Sequence, residues 1–477
     1  MKKETSSMKE YLRLKKLGEK SNEEKKAIEK QEITEFMKYF ESNILDFKDS
    51  TLLKKLCEHI ERVFKLEIEE LGYKFDSVKN NKENTYELHF INDKNFPDKA
   101  VEYPGRGWNG ENIVLKKPKI IFNIALLFKG LDNTDKEIRL RTCKEIFFTI
   151  FHEIQHERQD LMSMQKVSSN ESLKYARDFA CKLDILKKSW YTKNYDNYLI
   201  EKDANIVGLD KYLEIMQDND RIFSTYRDIE KGKYYNGRYI ADVWTSDQKT
   251  YYYSGLQERD VITEIILDDL ICEQSMIGIL ELYPILQKEY NMDGSRKSVT
   301  ELIDNMRKEI YDISGNTELS KIEKDELIKD AQEMYYELLY IQIQKSTQKE
   351  IEELVSKIGK KEFINILKRM IYYFLTQLQD YSNESVKLAN LQEKEDRKRL
   401  SEYYVKKITI LLELEAKYDA RMIKPIKNLL IKILEKLYLS DVFYENALRR
   451  SLNGKERAEE AIKRDRTQEF GENNKQQ

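Results

Sequence analysis

Hydrophobic residues recur at every third or fourth position along most of the chain, which is the spacing of one face of an α-helix. Near the N-terminus, hydrophobic residues follow this spacing from Ile33 to Phe40 and from Leu52 to Phe64, and many of the residues between them are charged. The same spacing returns after about residue 257 and continues towards the C-terminus. Both ends of the chain are therefore predicted to be helical.

The pattern changes between these two regions. Residues 86–91 alternate in polarity as a half-buried strand does, and residues 119–124 form a more continuous apolar run that predicts a buried strand. Asp135, the last of three capping residues, precedes a long predicted helix over about 136–162. The predicted fold class is mainly α with a small α+β core, in a chain of several domains. Further helices are predicted over about 171–189 and 199–216.

These changes of pattern divide the chain into five predicted segments. The long C-terminal helical region has no fixed-period repeat, and we interpret it as an accessory region that recognises a substrate or partner. The segments are an N-terminal helical region (1–80), a core (81–216), a mixed segment with a hairpin at Asn236-Gly237 (217–300), a helical accessory region (301–453) and a disordered tail (454–477).

Composition narrows the classes of function. The 477 residues carry a formal net charge of −3, which does not support a nucleic-acid binder that relies on a basic face. The N-terminus lacks the apolar core of a secretory signal, no run of about 18 apolar residues occurs, and the four cysteines have no CxxC spacing. We expect a cytoplasmic protein with no membrane span and no disulfide framework.

Two of the four histidines lie in one motif on the long predicted helix. The segment from His152 to His156 reads His-Glu-Ile-Gln-His, which is the H-E-x-x-H pattern. Residues four apart share one face of a helix, so the two imidazoles can bind one metal ion and Glu153 can reach a metal-bound water. With so few histidines, the chance of a random match is roughly a few in a thousand. The motif therefore predicts a zinc site.

A catalytic zinc ion needs a third protein ligand and keeps its fourth position for water. Position 162 is Met162, which excludes the pattern with a third histidine six residues after the second, and His59 and His89 both precede the motif. A carboxylate is the better candidate. Glu201 opens a predicted helix on which Ala204 is small enough to allow a close approach to the metal helix.

Other polar residues near Glu201 bear on this choice. Asp203 and Asn205 are short polar residues that are suited to hydrogen bonds around metal ligands. Glu171 and Asp178 lie on the intervening predicted helix and compete with Glu201 for the position of the third ligand. The sequence pattern favours Glu201 and leaves these two alternatives open.

These residues resemble a zincin metallopeptidase of the glutamate-ligand (gluzincin) kind. The His-Glu-Ile-Gln-His segment, followed three residues later by Gln159, and the later Tyr-x-x-Glu-x-Asp-Ala segment are similar to uncharacterised zincin domains of phage and mobile-element proteins. The resemblance covers about residues 84–216. It implies that His152, His156 and Glu201 bind zinc, that Glu153 is the general base, and that the strand near Ile120–Asn123 is the edge strand along which an extended peptide lies.

The third ligand departs from the thermolysin-like pattern in two respects. Glu201 lies 45 residues after His156, which is a longer separation, and the position four residues after it holds Asn205 where those enzymes have Asp. The resemblance also implies a donor for the oxyanion. Tyr191, Tyr195 and Tyr198 lie near Glu201 in sequence, and the pattern does not choose among them.

The sequence leads to the hypothesis of a zinc-dependent metallopeptidase that hydrolyses a peptide or protein substrate and whose C-terminal helices contact a protein partner. Two alternatives stay open. The first is a non-catalytic helical binding protein with a structural metal site. The second is a metal-dependent amide hydrolase that acts on a non-peptide substrate.

Overall fold

The computed structural model describes a chain that is mainly helical with a small sheet, which confirms the predicted fold class. No helix within the described ranges is long and apolar enough to span a membrane. The predicted hairpin at Asn236-Gly237, the predicted tail (454–477) and Tyr191, Tyr195 and Tyr198 lie outside the described residues. The described residues are 2–17, 23–75, 85–92, 101–102, 107–108, 113–114, 119–183, 199–216, 276–385, 391–419, 421 and 423–436.

The chain divides into two compact units. Unit 1 comprises Met1–Thr245, Ile262–Ser295 and Asn316–Leu327, and unit 2 comprises Ser246–Val261, Arg296–Gly315 and Ile328–Gln477. The described helices that lie wholly in unit 1 are α1 (Lys2–Leu17), α2 (Glu23–Ser42), α3 (Ser50–Glu70), α4 (Ile124–Leu127), α5 (Lys136–Ser163), α6 (Asn170–Leu183), α7 (Leu199–Met216), α8 (Met276–Leu282) and a 3₁₀-helix (Pro284–Lys288).

Helix α5, which carries the H-E-x-x-H motif, forms the centre of unit 1. Every residue from Cys143 to Asp160 is buried except Thr149. The helix packs against α1, α2, α3, α6 and α7. It begins after Asp135, whose side chain accepts a hydrogen bond of 2.8 Å from the backbone N–H of Glu137, as the capping pattern predicts. Because neighbours surround it, the helix places its polar motif inside the core.

The sheet of unit 1 lies beside this helical core. Its strands are β1 (Lys74–Phe75), β2 (Thr85–Ile91), β3 (Val101–Glu102) and β6 (Lys119–Asn123), while β4 (Gly107–Trp108) and β5 (Ile113–Val114) form a separate pair. The strand order is β1-β2-β6-β3. Strands β1, β2 and β6 run parallel to one another, with Leu88 of β2 opposite Ile120 of β6. Strand β3 is antiparallel to β6. Phe64 of α3 contacts Tyr86 and Phe122, so α3 covers one face of the sheet.

The implied edge strand at Ile120–Asn123 is an interior strand instead. β6 pairs with β2 along its whole length and with β3 at Ile121 and Phe122. Ile120 and Phe122 are buried in the core. A continuous apolar run indicates that both faces of a strand are covered, but it does not show whether other strands pair with both of its edges. An extended peptide cannot add to β6 where its backbone groups already pair with both neighbours.

Unit 2 consists of helices and their connections in its described residues. Helix α12 (Lys360–Ser385) packs against α13 (Leu391–Ala416) and α14 (Ile423–Lys436). Its residues Leu367, Ile371 and Phe374 are fully buried. The boundary between units 1 and 2, at Leu327, falls within helix α10 (Lys321–Lys345). The part of the accessory region that the structure describes is thus helical, as its hydrophobic spacing predicts. The helices are α9 (Val299–Gly315), α10 (Lys321–Lys345), α11 (Gln348–Ile358), α12 (Lys360–Ser385), α13 (Leu391–Ala416) and α14 (Ile423–Lys436).

Candidate metal centre

Helix α5 brings the two imidazoles of the motif together. His152 and His156 lie one helical turn apart, and their ring centroids are separated by 4.6 Å with nearly perpendicular planes. The two Nε2 atoms are 3.0 Å apart. Both rings therefore direct the same nitrogen towards one point beside the helix.

Glu201, in the first turn of α7, directs a carboxylate oxygen towards the same point. Its Oε2 atom lies 3.5 Å from the Nε2 of His152 and 3.3 Å from the Nε2 of His156. The three atoms form a nearly equilateral triangle. Among the described residues, no other group of three or more His, Cys, Asp and Glu side chains converges in this way.

This triangle has the dimensions that a zinc ion requires. A tetrahedral zinc ion with bonds of about 2.0–2.1 Å separates its ligand atoms by about 3.3 Å. The three observed separations, from 3.0 to 3.5 Å, lie on either side of that value. Two imidazole nitrogens and one carboxylate oxygen are also a donor set that zinc accepts. The residues present therefore fit a zinc ion, with one coordination position left over.

The three side chains are almost inaccessible to water. His152, His156 and Glu201 are 0%, 5% and 1% exposed, respectively. Burial of an ionised carboxylate is costly unless a positive charge compensates for it, and a divalent cation between the three atoms supplies that charge. Glu153, the next residue after His152, is also buried, at 7% exposure. The candidate general base thus lies in the same buried region of α5.

The second imidazole is held in one orientation by Gln159. Nδ1 of His156 lies 2.9 Å from Oε1 of Gln159. The amide nitrogen of Gln159 donates to the backbone oxygen of Ile200 (3.0 Å) and to Oδ2 of Asp203 (2.7 Å), which fixes the identities of the two amide atoms. Because the amide oxygen can only accept, Nδ1 of His156 carries the hydrogen. The lone pair of Nε2 therefore points towards His152 and Glu201.

Asp203 receives several of these hydrogen bonds on a single atom. Its Oδ2 accepts from the side-chain amides of Gln155 and Gln159, both at 2.7 Å, and lies 2.8 Å from the hydroxyl oxygen of Tyr175. Gln155 is oriented in turn by Arg158, whose Nη1 donates to its Oε1 at 3.2 Å. A short polar side chain at position 203 thus joins α5, α6 and α7. The side chain of Asn205 lies outside the described part of the chain.

Small residues allow α7 to approach α5 closely. Ala204 is fully buried, as expected for a position that faces the metal helix. Gly208, one turn further, lies directly against the backbone of α5, since a Cβ atom there would be 2.8 Å from the backbone nitrogen of His152. Gly208 was not predicted from sequence. The spacing of Glu201, Ala204 and Gly208 along one face of a helix is the signal that could have identified it.

The two competing carboxylates have other partners. Oε1 of Glu171 lies 2.7 Å from the hydroxyl oxygen of Tyr175. Burial raises the pKa of Glu171. Oδ2 of Asp178 accepts a hydrogen bond of 3.2 Å from the backbone N–H of Ile200. Neither belongs to the group of converging ligand atoms, although both lie on α6 beside the start of α7.

The remaining histidines lie elsewhere. Nδ1 of His59 is 2.6 Å from Oε2 of Glu32, between α3 and α2. His89, on strand β2, pairs with Glu87 of the same strand at 3.1 Å. Neither histidine is part of the converging group.

A buried network of charges holds the far end of α7. Nζ of Lys211 contacts Oε2 of Glu67, and Nζ of Lys25 lies 2.6 Å from the other oxygen of Glu67 and 3.8 Å from Glu29. Burial and the neighbouring Glu67 raise the pKa of Glu29 to about 10. Burial opposes ionisation of Glu67, but Lys211, Glu29 and Lys25 together lower its pKa to about 2. At neutral pH, Glu29 is therefore a neutral acid beside an ionised Glu67, and α7 is tied to α3 ten residues after Glu201.

Comparisons with known proteins give no match: no family model, curated protein or solved structure is significantly similar to this chain.

Proposed function

We propose that the protein is a zinc-dependent metallopeptidase that hydrolyses peptide bonds. The convergence of His152, His156 and Glu201 around one point, with separations of 3.0–3.5 Å, is the observation that supports this proposal. Three protein ligands suit a catalytic zinc ion better than a structural one, because structural sites usually have four protein ligands whereas catalytic sites keep one position open.

Each residue has a distinct role in the proposed reaction. His152, His156 and Glu201 would hold the metal ion. When bound, zinc lowers the pKa of a coordinated water towards about 7 and polarises the substrate carbonyl. Glu153 would accept a proton from the attacking water and donate it to the leaving amine. Glu153 is buried beside the first ligand, so it lies next to the position that a coordinated water would take.

The test begins with the metal content of the full-length protein. Elemental analysis after purification without chelators should give about one zinc per chain in the wild type. His152→Ala should lose the metal. Glu153→Gln should keep it, because residue 153 is not one of the converging ligands. A wild type that is folded but binds no zinc would contradict the proposal.

Activity is then measured on a diverse peptide mixture, with mass spectrometry of the products. The wild type should cleave peptides, a chelator should stop cleavage, and Glu153→Gln should reduce it by a factor of about 10² or more. Glu157→Gln is the matched control, because Glu157 lies one turn further on α5 and accepts from the hydroxyl of Tyr73. It should retain both zinc and cleavage.

Two other outcomes would favour the alternatives to a peptidase. If zinc is bound and wild type and Glu153→Gln are equally inactive on peptides and small amides, the site is a structural metal site. If small amides are hydrolysed and peptides are not, the protein is an amide hydrolase that acts on a non-peptide substrate.

A further inference from the structure

A groove lies between α10 and α12, wholly within unit 2. Its volume of 530 Å³ is in the range of small-molecule sites, which is about 300–1,000 Å³. Two ring contacts join the helices, Tyr336 with Tyr373 at 5.7 Å and Tyr340 with Phe374 at 5.5 Å between centroids. The residues that determine the chemistry of the groove are Lys329, Glu333 and Tyr336 of α10 and Arg369, Tyr372 and Tyr373 of α12.

Three tyrosines give the groove flat aromatic surfaces. Tyr336 is buried, with 7% of its surface exposed, whereas Tyr372 is 48% exposed. The hydroxyl of Tyr373 donates a hydrogen bond of 3.5 Å to Oε1 of Glu337. Aromatic rings pack against one another in offset-stacked or edge-to-face arrangements. The groove can therefore accept the ring of a ligand among its own rings.

A buried ion pair supports one of these rings. The other carboxylate oxygen of Glu337, Oε2, lies 2.5 Å from Nζ of Lys407, which is 3% exposed. The same Nζ lies 4.7 Å from the ring centroid of Phe374 and 5.0 Å from that of Tyr340. Because movement of Glu337 would leave a buried cation unpaired, the acceptor of the Tyr373 hydroxyl is fixed. A ring held in this way is in place before a ligand binds.

The phenol groups of the groove carry no charge at neutral pH. Burial raises the pKa of Tyr336, although the neighbouring Arg369 acts in the opposite direction. Burial and then the carboxylate of Glu337 raise the pKa of Tyr373 well above its ordinary value. A phenol that titrates above pH 10 is protonated at pH 7. These two tyrosines therefore do not repel an anion.

The charged residues of the groove leave one positive charge over. Nζ of Lys329 lies 3.8 Å from Oε1 of Glu333 on the same helix. Arg369 is exposed, and within the part of the chain that the structure describes it forms no ion pair with a carboxylate. A guanidinium matches the charge and the planar geometry of a carboxylate, to which it can donate two parallel hydrogen bonds. A phosphate dianion would bring one negative charge more than the groove compensates.

We propose that this groove binds an aromatic carboxylate, with the ring of the ligand among Tyr336, Tyr372 and Tyr373 and its carboxylate on Arg369. The same chemistry is present in a free aromatic acid and in the C-terminal residue of a peptide that ends in tyrosine or phenylalanine. The groove shares no residue with the proposed metal centre. It can therefore be tested separately from the proposed peptidase activity.

The first experiment measures binding of N-acetyl-tyrosine to the full-length protein by ligand-observed NMR titration. The expected dissociation constant is about 1 mM or below. N-acetyl-tyrosine amide, which has the ring without the charge, and acetate, which has the charge without the ring, should bind at least about tenfold more weakly. Absence of binding at about 10 mM, or equal binding of the acid and its amide, would overturn the proposal.

The same titration is repeated with a chelator present. The affinity should not change, because none of the converging metal ligands lies in the groove. Loss of binding with the chelator would show that the carboxylate binds a metal ion, and the assignment to Arg369 would then be wrong.

The second experiment changes the groove itself. Arg369→Gln should weaken binding about tenfold or more. Lys361→Gln is the matched control, because it removes one charge from an exposed position of the same helix outside the groove. Tyr372→Ala should weaken binding about fivefold, whereas Tyr372→Phe keeps the ring and should bind as the wild type does.

Both altered positions are exposed, and circular dichroism checks that the variants are folded. Equal affinities of Arg369→Gln and Lys361→Gln would contradict the proposed carboxylate contact. Equal affinities of Tyr372→Ala and the wild type would contradict the proposed ring contact. If a variant does not fold, the comparison of the acid with its amide on the wild type decides.

A third experiment distinguishes the two sources of the ligand. A short peptide that ends in tyrosine and its C-terminal amide are titrated with a chelator present, so that cleavage does not remove the ligand. A peptide that binds at least about tenfold more tightly than N-acetyl-tyrosine would support a chain end as the ligand, and equal affinities would support a free aromatic acid. Equal binding of the peptide and its amide would overturn the proposal.

Discussion

Gly208 lies directly against His152: a Cβ atom added to the glycine would be 2.8 Å from the backbone nitrogen of the histidine and 3.1 Å from its Cα. The atoms that it would meet belong to the backbone of α5, which cannot turn aside as a flexible side chain can. Glu201 lies two turns before Gly208 on the same face of α7. The distance between Glu201 and the two histidines therefore depends on the absence of a side chain at position 208.

Gly208→Ala is expected to push α7 away from α5. The overpacked contact should lower the free energy of unfolding by about 1–3 kcal/mol and should weaken zinc binding about tenfold or more, because Glu201 moves with the helix. Gly315→Ala is the matched control, since a Cβ atom at Gly315 has nothing within 4 Å. Zinc competition and urea unfolding on both variants test the prediction, and equal affinities for the two would contradict it.

Glu201→Gln is expected to reduce zinc affinity more than about 100-fold, because it replaces an anionic ligand by a neutral amide. Asp178→Asn is the comparison, since Asn can still accept the hydrogen bond from the backbone N–H of Ile200. That variant should bind zinc within about threefold of the wild type. A larger loss for Asp178→Asn than for Glu201→Gln would make Asp178 the third ligand.

Glu29→Gln is expected to stabilise the protein, increasingly so at higher pH. The pKa of Glu29 is raised from 4.5 to about 10 by burial and by Glu67. A carboxyl group whose pKa is raised in the folded state contributes to the free energy of unfolding through its bound proton. For Glu29 this contribution is fully present below pH 4.5 and is lost as the pH rises towards 10. An amide keeps a neutral donor beside Glu67, so the variant should gain about 1–3 kcal/mol at neutral pH.

Urea unfolding of the wild type and Glu29→Gln at pH values between 5 and 9 tests this prediction. The difference between the two proteins should grow as the pH rises. A difference that stays constant, or that decreases with pH, would show that Glu29 is ionised in the folded protein.

The ion pair between Arg177 of α6 and Glu289 is expected to be important for the stability of unit 1. Nη2 and Nε of Arg177 lie 2.7 and 3.1 Å from Oε2 of Glu289, and both side chains are buried. Arg177→Met leaves a buried carboxylate without its cation and should lower the free energy of unfolding by about 3–5 kcal/mol. The double variant Arg177→Met/Glu289→Leu should recover most of that loss in urea unfolding. If the double variant is no more stable than Arg177→Met, the loss of stability in the single variant comes from altered packing and not from the unpaired charge of Glu289.

Local patterns predicted most of the helices near the site. The helix predicted over 199–216 has the bounds Leu199–Met216, and the one predicted over 136–162 extends to Ser163. These predictions succeeded because helical spacing and capping are properties of neighbouring residues. The interior position of strand β6 was not predicted, because the order of strands depends on pairing between segments that are far apart in sequence.

The contacts of the predicted ligands show the same difference between local patterns and long-range packing. The pairing of His152 with His156 follows from helix geometry alone, since residues four apart share a face. Gln159 belongs to the segment that resembles zincin domains, but the sequence assigned it no contact, and no pattern marked Tyr175. Their contacts with Asp203 exist only because α6 and α7 pack against α5.

By itself, the sequence determined that the chain is mainly helical and that two histidines and a glutamate lie within one turn of a core helix. These features depend on interactions between residues close in the chain. Only the tertiary structure decided which of three carboxylates, Glu171, Asp178 or Glu201, approaches the histidines. That choice depends on the packing of α7 against α5 through Ala204 and Gly208, and a contact between segments some 50 residues apart is set by the shapes of both helices.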